Sequence, residues 1–214
     1  MKRMTVITAM AFCLLLLFGC ARKEISNIDS RGETIVCFGD SITFGYGAQP
    51  GDDYPSILAQ MVSMPVINAG IDGDTTSEAL KRLRTDVLDR KPFLVVIEFC
   101  GNDFLRKFPK ETTVENISRM IDECHKAGAM VALADISAGM FLQEYRKAFA
   151  ELAARKKAIF IPSILDGIIT NPRLKSDFLH PNAEGYKTIA RRVYRAITPF
   201  LGQNRALKNL PGNT

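Results

Sequence analysis

The chain has 214 residues, with 28 Lys and Arg against 23 Asp and Glu, a formal charge of +5, two His, five Cys and no Trp. That length suits one domain with a full core, and the charge excess is too modest to point to nucleic acid. Two His and irregularly spaced Cys exclude a zinc-type cluster and a disulfide framework, so no metal or cofactor is expected.

In chain order, the first element is a leader. Lys2 and Arg3 precede an apolar run from Met4 to Phe18, too short to span a bilayer and suited to a secretory signal. It ends in Leu17-Phe18-Gly19-Cys20, which resembles the bacterial lipoprotein signal. The resemblance implies removal of residues 1–19, lipid on Cys20, attachment to a membrane through that lipid, and a cell-envelope location facing the periplasm or the outer surface. Residues 20–33 are polar and read as a tether. The expected domain covers 34–201, followed by a frayed tail at 202–214.

From Thr34 onwards short apolar runs alternate with helical periods. Strands are expected at Thr34–Phe38, Val66–Asn68, Phe93–Phe99, Ala129–Ala134 and Ala158–Ile161. Helices are expected at Tyr54–Met61, Thr75–Arg90, Thr113–Ala127, Gln143–Lys156 and Ala183–Phe200. Leu80, Leu83, Val87 and Leu88 share one face of the second helix, and Val114, Ile117, Ile121 and Cys124 one face of the third. In the last helix Arg191, Arg192 and Arg195 alternate with Ile189, Val193 and Ile197, the pattern of a solvated face. Strand-helix alternation implies an α/β three-layer sandwich around a five-stranded parallel sheet. Cys37, Cys100 and Cys124 each lie in an apolar segment and read as buried thiols.

In such a sheet ligands bind beyond the carboxyl ends of the strands. Gly39-Asp40-Ser41 follow the first strand, Gly70 and Gly73 the second, and Gly101-Asn102-Asp103 the third. Each turn alone is ordinary: a serine opening a helix is a common cap. His180 could supply a base, and Asp177, three residues before it, an acceptor able to orient that base; a serine hydroxyl needs both to become a nucleophile.

Together FGDSI, NAGIDGDTT, CGNDF and DFLHPN, in that order, resemble the conserved blocks of the SGNH (GDSL) hydrolases, with a flavodoxin-like fold. The likeness is greatest to their periplasmic acyl-CoA thioesterase, lysophospholipase and arylesterase branch. It runs from Thr34 to Leu201. It implies Ser41 as nucleophile, His180 and Asp177 as its partners, and an oxyanion hole of the Ser41 amide, Gly73 and Asn102. Cys100 stands where a glycine is frequent, and Gly70 where serine is. Asp103 reads as a brace for its turn. Two apolar loops at the expected rim, with Phe104, Leu105 and Phe108 on one and Met140 and Phe141 on the other, favour an acyl ester or thioester substrate; Phe104, Met140 and Phe141 are its candidate contacts. The alternatives are a deacetylase of envelope carbohydrate and a non-catalytic lipid-binding lipoprotein.

Overall fold

The computed structural model describes residues 24–209. Five strands form one parallel sheet in the order β2-β1-β3-β4-β5: β1 (Thr34–Gly39), β2 (Val66–Gly70), β3 (Pro92–Glu98), β4 (Met130–Ala134) and β5 (Ile159–Ile161). β3 and β4 are buried along their whole length, as strands covered on both faces must be. The helices are α1 (Ser41–Phe44), α2 (Tyr54–Ala59), α3 (Thr76–Asp86), α4 (Gly101–Leu105), α5 (Lys110–Lys126), α6 (Gln143–Arg155) and α7 (Ala183–Lys208). α3 opens with a reciprocal cap in which Thr75 accepts from the Glu78 amide and Glu78 accepts from the Thr75 amide. Its apolar stripe buries Ala79 and Leu83, with Val87 just beyond.

The strand order reverses between β1 and β3, the switch point at which such parallel sheets open a crevice. Register aligns the strand ends there: Gly39 stands beside Gly70 on one side and Glu98 on the other. The turns after β1, β2 and β3 therefore leave the sheet at one level.

Three expectations change. Residues 24–33 are packed rather than loose: Ile25 and Ser30 are buried, and the Asn27 amide donates to the carbonyls of His125 and Ala129. Their polarity is spent on capping the amino ends of the strands. The last helix continues to Lys208, and buried Asn204 donates to the carbonyls of Ile28 and Ser30. That contact holds residues 202–209 of the segment expected to fray, and 210–214 lie outside the described residues. α4 lies within a stretch read as a loop. The leader and Cys20 lie outside the described residues, and among those described no helix is long and apolar enough to cross a membrane.

Candidate active site

β1 ends at Gly39 because nothing larger fits. A Cβ there would come within 2.0 Å of Thr43 Oγ1 and 2.7 Å of the Glu98 carbonyl. The glycine serves close approach, not a left-handed turn. Asp40 then caps α1 by accepting from the Ile42 amide at 3.1 Å, so Ser41 is the first helical residue. Its own N–H belongs to the set that a helix leaves without an internal partner. Gly70 admits this turn: a Cβ on it would lie 2.1 Å from the Phe44 nitrogen.

The loop before α7 brings an imidazole to the serine. His180 Nε2 lies 3.1 Å from Ser41 Oγ, and His180 Nδ1 lies 2.8 Å from Asp177 Oδ2. The other oxygen, Asp177 Oδ1, accepts from the amides of Leu179 and His180, both at 2.8 Å. Burial opposes ionisation of Asp177, but these hydrogen bonds outweigh it and hold the carboxyl below its ordinary range. An ionised acceptor fixed on Nδ1 keeps that nitrogen protonated and leaves Nε2 free to accept from the serine. Tyr46 packs its ring on the imidazole, with centroids 4.5 Å apart.

Asn102 stands beside Ser41 and His180, and Gly73 lies in the turn after β2, outside the lining that those three share. Asn102 Nδ2 donates one hydrogen to the Asp74 carbonyl at 3.0 Å. A primary amide has a second N–H. Gly73 is the third residue of a turn closed by the Asp74 amide on the Ile71 carbonyl; its φ of +76° is one that a side chain would strain. Asp103 braces α4 by accepting from the Thr76 amide and from the hydroxyls of Thr76 and Thr113. Cys100, at the N-cap of α4, has φ +143° and is buried. Glycine takes that conformation without cost, and another residue held there costs on the order of 1–3 kcal/mol.

A cleft opens beside Ser41 and His180. Ile136 and Phe141 line it, together with Leu105, Leu165, Ile169 and Leu179. Of the three expected contacts only Phe141 lines it. Phe104 stands behind, packing edge-on against Phe141 with centroids 5.5 Å apart. Met140 is 96% exposed and points elsewhere. Three lining residues, Leu165, Ile169 and Leu179, come from the long connection after β5, which has no periodicity to mark it. Asp135 supports the wall at the end of β4, accepting from the Ser137 amide and hydroxyl and from the Ser163 amide.

Arg82 was also unmarked, since on α3 it reads as a surface residue. Its guanidinium donates to the carbonyls of Ala69 at 2.8 Å and Gly39 at 3.2 Å, and pairs with Asp74 at 2.7 Å. It lies 4.4 Å from the centroid of the Phe38 ring. Cys37, Cys100 and Cys124 are buried free thiols. Among the described residues no group of three His, Cys, Asp or Glu could hold a metal ion.

Comparison with known proteins gives a consistent result. The sequence model of the GDSL-like lipase/acylhydrolase family matches residues 37–188. An arylesterase of Vibrio mimicus is 32% identical over 87% of this chain and 97% of its own. Esterase TesA of Pseudomonas aeruginosa is 27% identical over 87% and 98%. The crystal structure of the psychrotrophic esterase EstA from Pseudoalteromonas, inhibited by monoethylphosphonate, matches with a TM-score of 0.70 at 28% identity, covering 79% of this chain and 99% of EstA.

Proposed function

The chain belongs to the GDSL-like lipase/acylhydrolase family, and on that premise we propose that it hydrolyses acyl esters or thioesters through Ser41, His180 and Asp177. Ser41 Oγ attacks the substrate carbonyl while His180 Nε2 takes its proton. The Ser41 and Gly73 amides and the free N–H of Asn102 hold the oxyanion of the tetrahedral intermediate. The imidazolium passes its proton to the departing alcohol or thiol, leaving an acyl group on Ser41. A water, deprotonated by the same nitrogen, releases the acid and restores the serine. Asp177 stays ionised throughout and orients the ring.

The observation that carries this reading is the unbroken relay Asp177–His180–Ser41, at 2.8 Å and 3.1 Å, opening onto an apolar cleft. The lining favours an acyl chain over a sugar. The test is turnover of nitrophenyl esters of increasing chain length beside an acetylated sugar, with labelling by a serine-directed phosphonate. Ser41→Ala should abolish both turnover and labelling and leave the fold intact. Because the three residues act as a unit, His180→Ala should cost nearly as much. Full activity in Ser41→Ala, or label on another residue, overturns the mechanism.

The leader supports anchoring of the domain in the bacterial envelope by lipid on Cys20. Cys20→Ser should move esterase activity from the membrane fraction to the soluble one. A wild-type chain recovered soluble and unacylated refutes the anchor and leaves the chemistry untouched.

A further inference from the structure

Among the described residues ten large apolar side chains are exposed, and every one lies in a segment that follows the carboxyl end of a strand. All the crossings contribute: Phe44 after β1, Ile71 after β2, Leu105 after β3, Met140 after β4 and Phe178 before α7. None of the ten lies on the outer faces of α3, α5, α6 or α7. Exposed apolar residues scattered singly need no explanation, but a set confined to one rim does. The extremes are Met140, 96% exposed, and Phe178, 89% exposed. Neither lines the cleft.

The charges interleaved with this rim are of both signs, Arg106, Lys107 and Lys175 with Asp72 and Asp166. The Lys175 ammonium stands 5.5 Å from the centroid of the Phe178 ring. Lysines and aromatics so placed suit the boundary between headgroups and acyl chains, where the ring is half buried and the ammonium reaches a phosphate. A mixed set of charges matches a zwitterionic headgroup layer better than a purely anionic one.

The described chain enters and leaves at the opposite pole. Glu24 pairs with Lys157 before β5, and Asn204 meets Ser30 beneath the amino ends of the strands. α7 joins the poles with 26 residues, about 39 Å at the helical rise. The four residues from Cys20 to Glu24 span at most about 14 Å. A lipid on Cys20 therefore holds the rim away from its own bilayer.

We propose that this rim docks the chain onto a phospholipid surface other than the one that anchors it, so that acyl esters resident there enter the cleft directly. The docking is independent of the catalytic reading; the substrate class rests on it. The test is flotation of the exported Cys20→Ser chain with phosphatidylcholine vesicles, read beside turnover of a short soluble nitrophenyl ester. The expected result is co-flotation that survives high salt. It should fall about tenfold or more in the Phe178→Ser/Met140→Ser double variant, since two side chains no longer leave water. Soluble turnover should be unchanged. Failure to float, or flotation that the double variant retains, overturns the proposal. So does binding only to anionic vesicles at low salt, which would be electrostatic, or a dimer in light scattering without flotation, which would make the rim a contact with a second copy. Salt-resistant, rim-dependent flotation by a chain with no ester turnover keeps the docking surface and removes the hydrolase reading.

Discussion

Arg82 donates from Nη2 to the carbonyl of Gly39 across 3.2 Å, so α3 holds the strand end from which Ser41 departs. The same guanidinium binds the Asp74 carboxylate, and the Asp74 carbonyl holds Asn102. One side chain thus fixes the turn of Ser41, the proposed nucleophile, and, through Asp74, the amide of Asn102, a proposed oxyanion donor.

Replacing Arg82 should separate position from charge. Arg82→Lys keeps the charge and loses the planar fork that reaches four acceptors, the carbonyls of Ala69 and Gly39 and the carboxylates of Asp74 and Asp86. The expected outcome is a fall of about 10–100-fold in kcat with KM nearly unchanged, the usual scale for displaced catalytic groups. Arg82→Met leaves Asp74 buried without its partner and should destabilise by about 3–5 kcal/mol in urea denaturation. A variant as stable and as active as the parent would reduce the contact to decoration.

The oxyanion amide makes a second prediction. Asn102→Ala removes one donor and should lower kcat by about 10²–10³, with little change in KM. The loss should be alike for short and medium esters, because the donor meets the carbonyl oxygen and not the chain. A change confined to KM would assign Asn102 to substrate binding instead.

Asp40 gives a prediction in pH. Burial, reinforced by the negative charges of Asp103, Asp74 and Asp72, lifts its carboxyl from the ordinary 3.8 to about 7, against the opposing hydrogen bond from the Ile42 amide. Glu98 lies close by, buried and accepting from Thr43 at 2.7 Å; burial first and Asp40 second push it upward too. The folded state holds a proton that the unfolded state has already lost between these values. Stability from Asp40 is therefore present below about pH 4 and declines as pH rises through about 7. Asp40→Asn keeps an oxygen for the Ile42 amide and has no proton to lose. Denaturation at pH 5 and pH 8 should show a smaller loss in the variant, the difference being on the order of a few kcal/mol. Parallel curves for the two proteins would contradict the assignment.

The sheet and the rim were readable because both follow from short-range rules. Buried parallel strands give apolar runs, and the residues after each run are where the sheet can hold a ligand. Ser41, Gly73 and Asn102 stand there, and the loop with Asp177 and His180 closes over them. What sequence hid depends on long-range contact. Arg82 has the spacing of a surface residue, and only the fold shows four acceptors converging on it. Glu24 to Glu33 look like linker because their polar groups are matched by carbonyls of distant loops. Cys100 carries a left-handed φ that its own residue type argues against.

The cleft wall makes the last prediction. Phe141, Leu105 and Leu179 line the cleft, whereas Phe104 reaches it only through Phe141 and Met140 not at all. Burying one methylene is worth about 0.8 kcal/mol, nearly fourfold in kcat/KM, so a few carbons in contact should produce a rising series from acetyl to medium-chain esters. Phe141→Ala removes a wall and should flatten that series while leaving acetyl turnover within about threefold. Phe104→Ala should flatten it less, because it loosens the ring behind the wall. Met140→Ala should leave the series unchanged, which distinguishes cleft from rim. Nitrophenyl esters from two to twelve carbons would measure all three variants on one scale. A series that peaks at acetate and ignores Phe141 would place the acyl chain elsewhere and favour a carbohydrate deacetylase.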